Sequence, residues 1–175
     1  MKEQFIHIDE DGDKFYYSDR EMKILHHEDG PAVEYSNGSM EWWLNGKRHR
    51  EDGPAVEYAD GHKEWWLNGK LHREDGPAIE YSNGLKEWWL NGKRHREDGP
   101  AVEWEDGYKS WYLNGKLHRE DGPAVEGADG YKAWWLNGEY LTKEEFNTRM
   151  NPAELTLDEI AEKFGVSVDQ LKIKK

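Results

Sequence analysis

The sequence predicts an all-β repeat array: an elongated, twisted antiparallel sheet of stacked β-hairpins with a small α-helical cap at the C-terminus. Three observations predict this fold: a motif with a period of 23 residues, an Asn-Gly or Asp-Gly turn signal in every copy, and a buriable surface that is mainly aromatic. We therefore expect a degenerate capping hairpin over residues 1–25, five hairpin repeats over residues 26–140 and a helical cap over residues 141–175.

The repeat runs without insertion or deletion. Its consensus is H-R-E-D-G-P-A-V-E-Y-x-D/N-G-x-K-E-W-W-L-N-G-K-x, and its copies begin at His26, His49, His72, His95 and His118. The first aromatic column is Trp42, Trp65, Trp88, Trp111 and Trp134. The second is Trp43, Trp66, Trp89, Tyr112 and Trp135. A motif that keeps its register in this way indicates a solenoid, in which each unit buries its surface against its neighbours.

The turn residues predict what one copy folds into. In the second copy, Asp60-Gly61 lies between two predicted strands, Ala55–Tyr58 and Lys63–Leu67, and so indicates a hairpin. A second turn signal, Asn68-Gly69, follows the Trp pair. From there we expect an irregular return to the next Gly-Pro, where Pro cannot donate to a strand ladder.

Charge selects the register of that hairpin. A two-residue loop would place Glu57 opposite Glu64, which is unfavourable because like charges repel across a ladder. A three-residue loop, Ala59-Asp60-Gly61, instead places Glu57 opposite Lys63 and Gly61 in a bulge position. The same complementarity recurs in the later copies, whereas in the first copy Glu34 faces Met40.

The two Trp columns are predicted to lie on opposite faces of the sheet, because neighbouring strand residues point to opposite sides. One face then carries Trp65 with Ala55, and the other carries Trp66 with Val56 and Tyr58. Aliphatic residues are scarce, so Trp must supply much of the thin core. We expect one column to be mostly buried between hairpins and the other to be partly open along a groove.

The segment W-x-N-G-K-x-H, followed by a hairpin turn at a period of 23 residues, resembles MORN repeats. The resemblance covers residues 26–140 and is closest over residues 43–49. The chain departs from ordinary MORN repeats in having E-D-G-P where they have H-G-x-G. This variant is similar to repeats of many bacterial and tailed-phage proteins. The resemblance implies an elongated interaction scaffold and names no partner.

Both ends of the array are predicted to be capped, as open solenoids require. Residues 4–25 read as a degenerate hairpin with Phe5, Ile6 and Ile8 on its outer strand. After the repeats, the capping-box pattern at Thr142 predicts a helix to about Met150. The same pattern at Thr156 predicts a second helix that Gly165 ends.

The segment Ile160–Ser167 also resembles the first helix and turn of a helix-turn-helix motif. On that interpretation, a second helix starting near Val168 would read DNA. On the other interpretation, these residues only cover the last hairpin. The net charge of −13 makes nucleic acid an unfavourable partner, since phosphate binding depends on Lys and Arg.

Composition excludes several kinds of site. There is no Cys, so Cys-based metal centres and disulfides are ruled out. The acidic pair after each repeated His falls short of a calcium site, and we expect its Asp to order the turn and its Glu to pair with the neighbouring Arg. Every candidate acid or His recurs in several copies, so no unique catalytic grouping stands out. We expect no metal, no cofactor and no enzymatic activity.

The function expected is that of a protein-binding scaffold, sharpest as a phage-encoded inhibitor of a host defence protein. Its location would be the cytoplasm, of the host cell if phage-encoded, since no export signal or membrane-spanning run is visible. The alternatives are a glycan-binding or surface-binding module, a DNA-binding regulator and, more weakly, a nucleic-acid mimic. Oligomers could form through the sheet ends or the C-terminal helices. The residues predicted to contact a partner are Trp42, Trp65, Trp88, Trp111, Trp134, Glu51, Asp52, Glu74, Asp75, Glu97 and Asp98.

Breaks in the repeat mark further positions of interest. We expect function to be spread over a repeated surface, so only residues that depart from the consensus are distinctive. They are Met40, Trp104, Tyr112 and Gly127.

Overall fold

The structure, a computed structural model, describes residues 4–152 and 156–170. The strands of the described part are β1 Phe5–Ile8, β2 Lys14–Tyr17, β3 Val33–Glu34, β4 Met40–Glu41, β5 Trp43–Leu44, β6 Lys47–Arg48, β7 Val56–Glu57, β8 Lys63–Glu64, β9 Trp66–Leu67, β10 Lys70–Leu71, β11 Ile79–Glu80, β12 Lys86–Glu87, β13 Trp89–Leu90, β14 Lys93–Arg94, β15 Val102–Glu103, β16 Lys109–Ser110, β17 Tyr112–Leu113, β18 Lys116–Leu117, β19 Val125–Glu126, β20 Lys132–Leu136 and β21 Glu139–Leu141. Two helices follow, α1 Lys143–Met150 and α2 Leu157–Phe164, and then a 3-10 turn, Val168–Gln170.

Thirteen of the strands form one antiparallel sheet, in the order β1-β2-β3-β4-β7-β8-β11-β12-β15-β16-β19-β20-β21. Each repeat contributes two neighbouring strands to it, and the second strand of one copy pairs with the first strand of the next. The predicted all-β repeat array with a helical C-terminal cap is therefore confirmed.

The predicted hairpin register is confirmed in the second copy. Glu57 faces Lys63 across the ladder. The N–H of Tyr58 donates to the carbonyl of His62 at 2.9 Å, and that of Gly61 donates back to Tyr58 at 3.0 Å. Gly61 has a φ of 90°, the left-handed conformation that the bulge after a three-residue loop requires. The exception in the first copy is also present, with Glu34 facing Met40.

The expected irregular return after the Trp pair is wrong, because the chain forms a second, small hairpin there. In the second copy, Lys70 pairs with Leu67 and Leu71 pairs with Trp66. Asn68 and Gly69 between them have φ values of 53° and 78°, which fit a two-residue type I′ turn. The N–H of Gly69 also donates to the carbonyl of Arg48 at 2.9 Å, so the small hairpins of successive copies are bonded to one another.

The core consists of one Ala and one aliphatic residue from each copy rather than of a Trp column. The Ala residues are completely buried, and the Val or Ile after each is at most 8% exposed. The residues of both Trp columns are half-buried. The core residues are Ala32, Val33, Ala55, Val56, Ala78, Ile79, Ala101, Val102, Ala124 and Val125.

The ends of the sheet differ. At the N-terminal end, β1 and β2 form the predicted hairpin, and β1 is the outer strand, with Ile6 and Ile8 exposed. At the other end, α1 packs against β20 and β21 and buries Phe146. The predicted capping boxes at Thr142 and Thr156 are both formed, and Gly165 ends α2 in the left-handed conformation.

The helix-turn-helix interpretation finds only a short continuation in the structure. After α2, the chain forms the 3-10 turn Val168–Gln170 where a second helix was predicted to start. Residues 171–175 of that predicted helix lie outside the described residues.

Candidate protein-binding groove

The two Trp columns lie on opposite faces of the sheet, as predicted, and different Arg residues cover them. The Arg73 guanidinium lies 4.0 Å from the ring centre of Trp65. That of Arg48 lies 5.4 Å from the ring centre of Trp66. We call the side with the first Trp column the groove face, and the side with the second column the back face.

On the groove face, one Arg in each loop braces four neighbours. Arg73 donates from Nε to Asp75 at 2.9 Å, and from Nη1 to the carbonyl of Pro77 at 3.1 Å and to Glu80 at 3.0 Å. Its planar guanidinium also lies over Trp65, a cation–π arrangement that Lys would reproduce less well. The same set of contacts surrounds Arg50, Arg96 and Arg119.

The first copy replaces this brace with a histidine. His27 stands at the Arg position, and its ring stacks on Tyr16 of the capping hairpin with ring centres 4.6 Å apart. Its Nδ1 lies 2.8 Å from the carbonyl of Pro31, which corresponds to the Arg73 contact with Pro77. The capping hairpin therefore joins the array at the position of the Arg brace, with a ring stack in place of the cation–π contact.

From the second copy onward, the acidic pair of the loop is divided between two partners, and the predicted pairing of its Glu with Arg is wrong. Arg73 bonds Asp75, whereas Glu74 faces Nε2 of His72 at 3.7 Å. The hydrogen bond and charge of Arg73 hold the pKa of the Asp75 carboxyl below its usual value. The carboxyls of Asp52, Asp98 and Asp121 have lowered pKa values for the same main reason.

The repeated His residues link each loop to the next copy. Nδ1 of His72 accepts from the backbone N–H of Asn91 at 3.2 Å. An accepting Nδ1 carries no proton, so the neutral ring has its proton on Nε2, towards Glu74. The same bond joins His49 to Asn68, His95 to Asn114 and His118 to Asn137.

Between successive loops the groove face forms a cleft in which the predicted contact residues meet. In the second copy its floor is Trp65 with Leu67, and its walls are residues 50–54 and 72–75. The volume is about 710 Å³. Equivalent clefts of about 600 and 670 Å³ have Trp42 and Trp111 on their floors. We call this row of clefts the acidic groove.

The walls of the acidic groove carry the predicted carboxylates. Glu51, Asp52, Glu74 and Asp75 surround Trp65, and the side chains of the two Glu are 83% and 84% exposed. Glu97 and Asp98 line the cleft over Trp111. Trp88 lies in the same column beneath Arg96, and Trp134 continues the column into β20. That these residues bind a partner stays a prediction.

The back face has a different organisation, which sequence reasoning largely missed. Glu87 is 5% exposed and accepts from Arg94 and from the indole N–H of Trp89, both within 3.0 Å. A smaller cleft of about 320 Å³ lies beside it. Two breaks in the repeat, Trp104 and Tyr112, line that cleft. Those breaks were the only signal of it in the sequence.

Within residues 4–152 and 156–170, no group of three or more His, Asp or Glu side chains is placed to hold a metal ion. None of the helices in these ranges is long and apolar enough to span a membrane. In comparisons with known proteins, no family model matches the chain and no curated protein is significantly similar to it.

Proposed function

We propose that this chain is a non-enzymatic protein-binding scaffold and that the acidic groove is its binding surface. The observation that carries the proposal is the recurrence of one cleft, with a Trp-Leu floor and exposed carboxylates on its walls, from copy to copy. Trp residues dominate the binding energy of protein interfaces, and exposed carboxylates favour a basic partner. The absence of a unique reactive grouping in the sequence supports the non-enzymatic part of the proposal.

The contacts of the groove face weigh against the glycan alternative. Sugar rings bind by stacking on an open aromatic face. An Arg guanidinium lies 4.0 to 4.1 Å from the ring centre of Trp42, Trp65, Trp88 and Trp111, so one face of each ring is already occupied. The carboxylates of the same walls would repel phosphate, which weighs against DNA binding along the array.

The resemblance to MORN-like repeats of tailed-phage proteins gives the proposal its sharpest form. A phage-encoded scaffold of this kind would act in the cytoplasm of the infected cell and inhibit a host defence protein by occupying its surface. The repeated clefts support this because several equivalent sites on one sheet gain affinity when a partner engages them together.

The experiment is a capture of partners from bacterial lysate by the full chain. Two variants are run in parallel: a groove triple, Glu51→Gln with Glu74→Gln and Glu97→Gln, and a control triple, Glu105→Gln with Glu144→Gln and Glu162→Gln. Both remove three exposed charges, and only the first removes them from the groove. A recovered protein is then purified and titrated against all three chains.

We expect a recovered protein to bind the full chain and the control triple equally, and the groove triple about tenfold more weakly, since three exposed charge pairs at about 0.2–1 kcal/mol each amount to roughly 0.6–3 kcal/mol. Equal binding by both triples would contradict the groove as the surface. Recovery of no protein together with binding to a glycan array, or salt-sensitive DNA retention that is lost on deleting residues 151–175, would contradict the scaffold itself.

A further inference from the structure

The spacing of the acidic groove restricts the shape of its partner. Each repeat adds two sheet strands, and neighbouring strands lie about 4.8 Å apart, so the repeat advances about 9.6 Å along the axis of the sheet, and we take this as the step between equivalent clefts. The clefts over Trp65 and Trp111 have the same residue types on their floors and walls. A partner that fills several of them must therefore present the same group at steps of about 9.6 Å.

Three regular chain conformations can be compared with that step. A polyproline II helix has three residues per turn and rises about 3.1 Å per residue, so every third residue points the same way at about 9.3 Å. An α-helix returns to the same face after seven residues, at about 10.5 Å. A β-strand repeats its face every second residue, at about 6.7 Å, or every fourth, at about 13 Å.

The difference between each of these repeat distances and about 9.6 Å distinguishes the three conformations. Over three steps, a polyproline II helix falls out of register by about 1 Å, an α-helix by about 3 Å, and a β-strand cannot match at all. Aromatic-lined grooves are also the usual docking sites of polyproline II segments, because the preformed helix loses little entropy on binding. The Trp and Leu side chains on the floors of the acidic groove provide such a lining, with Arg covering one face of each Trp ring.

Charge identifies the group at every third position. Beside the Trp65 floor, the side chains of Glu51 and Glu74 are 83% and 84% exposed, and each has only a His nitrogen as its near neighbour, at 3.6 and 3.7 Å. The adjacent Asp residues are already bonded to Arg50 and Arg73. Glu51, Glu74 and Glu97, one in each of three successive repeats, are therefore the groove carboxylates that can take up a cation from the partner.

We propose that the acidic groove binds an extended, Pro-rich segment in the polyproline II conformation with Lys or Arg at every third residue. Each cation meets the Glu of one loop, and the residues between cations lie on the Trp-Leu floors. This inference rests on the proposed function, since it names the class of partner for the same surface.

The experiment uses fluorescently labelled peptides and the full chain, followed by fluorescence anisotropy. The probe is (Pro-Pro-Lys)4. Its isomer has the same composition with the Lys residues grouped in two Lys-Lys pairs, and (Pro-Pro-Glu)4 reverses the charge. The groove triple and the control triple defined above are measured with the same peptides, and circular dichroism checks that both retain the fold of the unmodified chain.

We expect (Pro-Pro-Lys)4 to bind about tenfold more tightly than its isomer, and (Pro-Pro-Glu)4 not to bind. The groove triple should weaken binding of (Pro-Pro-Lys)4 by about tenfold, at about 1.5- to 5-fold per carboxylate, and the control triple should leave it within about twofold. Equal affinities for the two Lys isomers, or equal effects of the two triples, would overturn the inference.

The two proposals can fail separately. If the peptide spacing makes no difference while a protein captured from lysate binds the full chain and is lost from the groove triple, the partner class is wrong and the scaffold stands. If the captured protein is indifferent to the groove triple, the groove is not the binding surface and both proposals fail together.

Discussion

The two faces of the sheet are built on the same strands, yet only one of them is uniform along the array. On the groove face, the distance from Arg to the Trp ring centre is 4.0, 4.0, 4.1 and 4.0 Å in four successive copies. On the back face, the position of Glu41 is taken in turn by Glu64, Glu87, Ser110 and Ala133. The position of Arg48 is taken by Leu71, Arg94, Leu117 and Tyr140.

The difference between the two faces shows on which of them the same residues are kept from copy to copy. The Ala-Val core and the groove-face Arg already fix each copy on its neighbour, so the back face can lose a carboxylate or an Arg without losing the fold. A uniform face offers equal sites at a fixed spacing, whereas a varied face offers local sites only. The comparison therefore favours the groove face for a partner with a regular sequence.

The largest expected effect is on the back face. Replacing Glu87 with Ala should lower the free energy of unfolding by about 3 kcal/mol, because it leaves Arg94 and the Trp89 indole N–H without their acceptor. Ser110 occupies the same position one copy later. Replacing it with Ala should lower the free energy of unfolding by at most about 1 kcal/mol, since Ala133 fills that position in the last copy. Urea unfolding measures both, and equal losses would show that the back face is as uniform as the groove face.

On the groove face, Arg73→Ala should lower the free energy of unfolding by about 2 kcal/mol, because one substitution removes two ion pairs and a cation–π contact. Arg50→Ala and Arg96→Ala should agree with it to within about 0.5 kcal/mol, since their contacts are the same. Arg73→Lys is the matched control and should recover part of the loss. A wide spread among the three Ala variants would break the claim of uniformity.

The histidine link should contribute less. His72→Ala removes the acceptor of the Asn91 N–H and should cost about 1 kcal/mol in urea unfolding. His72→Asn should recover most of that loss, because its side-chain oxygen stands close to the place of Nδ1. If Asn and Ala are equally destabilising, the accepting role of Nδ1 is wrong.

The Asp–Arg pairs predict the pH range in which acid lowers the stability of the fold. The folded-state pKa of Asp75 is lowered, so its contribution to stability is complete above the unfolded pKa, near 3.9, and is lost as pH falls through the lower folded value. The chemical shift of the Asp75 carboxyl should therefore titrate below pH ~3.9 in the unmodified chain, and near pH ~3.9 in the Arg73→Ala variant. An Asp75 titration that does not move on this substitution would remove Arg73 as the cause.

The smallest expected effect is that of Glu51→Gln on stability. Its side chain is 83% exposed, and its carboxylate lies 3.6 Å from Nε2 of His49. The change in free energy of unfolding should stay within about 0.5 kcal/mol. A larger loss would mean that the groove carboxylates stabilise the fold. A loss of binding on their removal could then not be assigned to the partner contact alone.

Features that depend on a few neighbouring residues could be predicted from the sequence. The three-residue loop follows from the charges of Glu57, Lys63 and Glu64 together with a Gly at the bulge, and the capping boxes follow from Thr142 and Thr156. The gathering of Glu51 and Glu74 around Trp65 also follows, since a strict period brings equal loops side by side.

The features that were missed depend on the surroundings. The small hairpin has only two residues on each side of Asn68-Gly69, too few for a strand pattern to show. The choice of Asp75 rather than Glu74 by Arg73 depends on side-chain directions in an irregular loop.

The most direct test of the groove face as the binding surface uses the ten Trp residues as reporters. The chain is labelled with 15N-Trp and titrated with the protein captured from lysate, and the indole N–H signals are followed by NMR. We predict that the signals of Trp42, Trp65, Trp88 and Trp111 shift together when the partner is added. Those of Trp43, Trp66 and Trp89 should move no further than they differ between the unmodified chain and the control triple. Shifts confined to the second column or to Trp104 would contradict the account and place the partner on the back face.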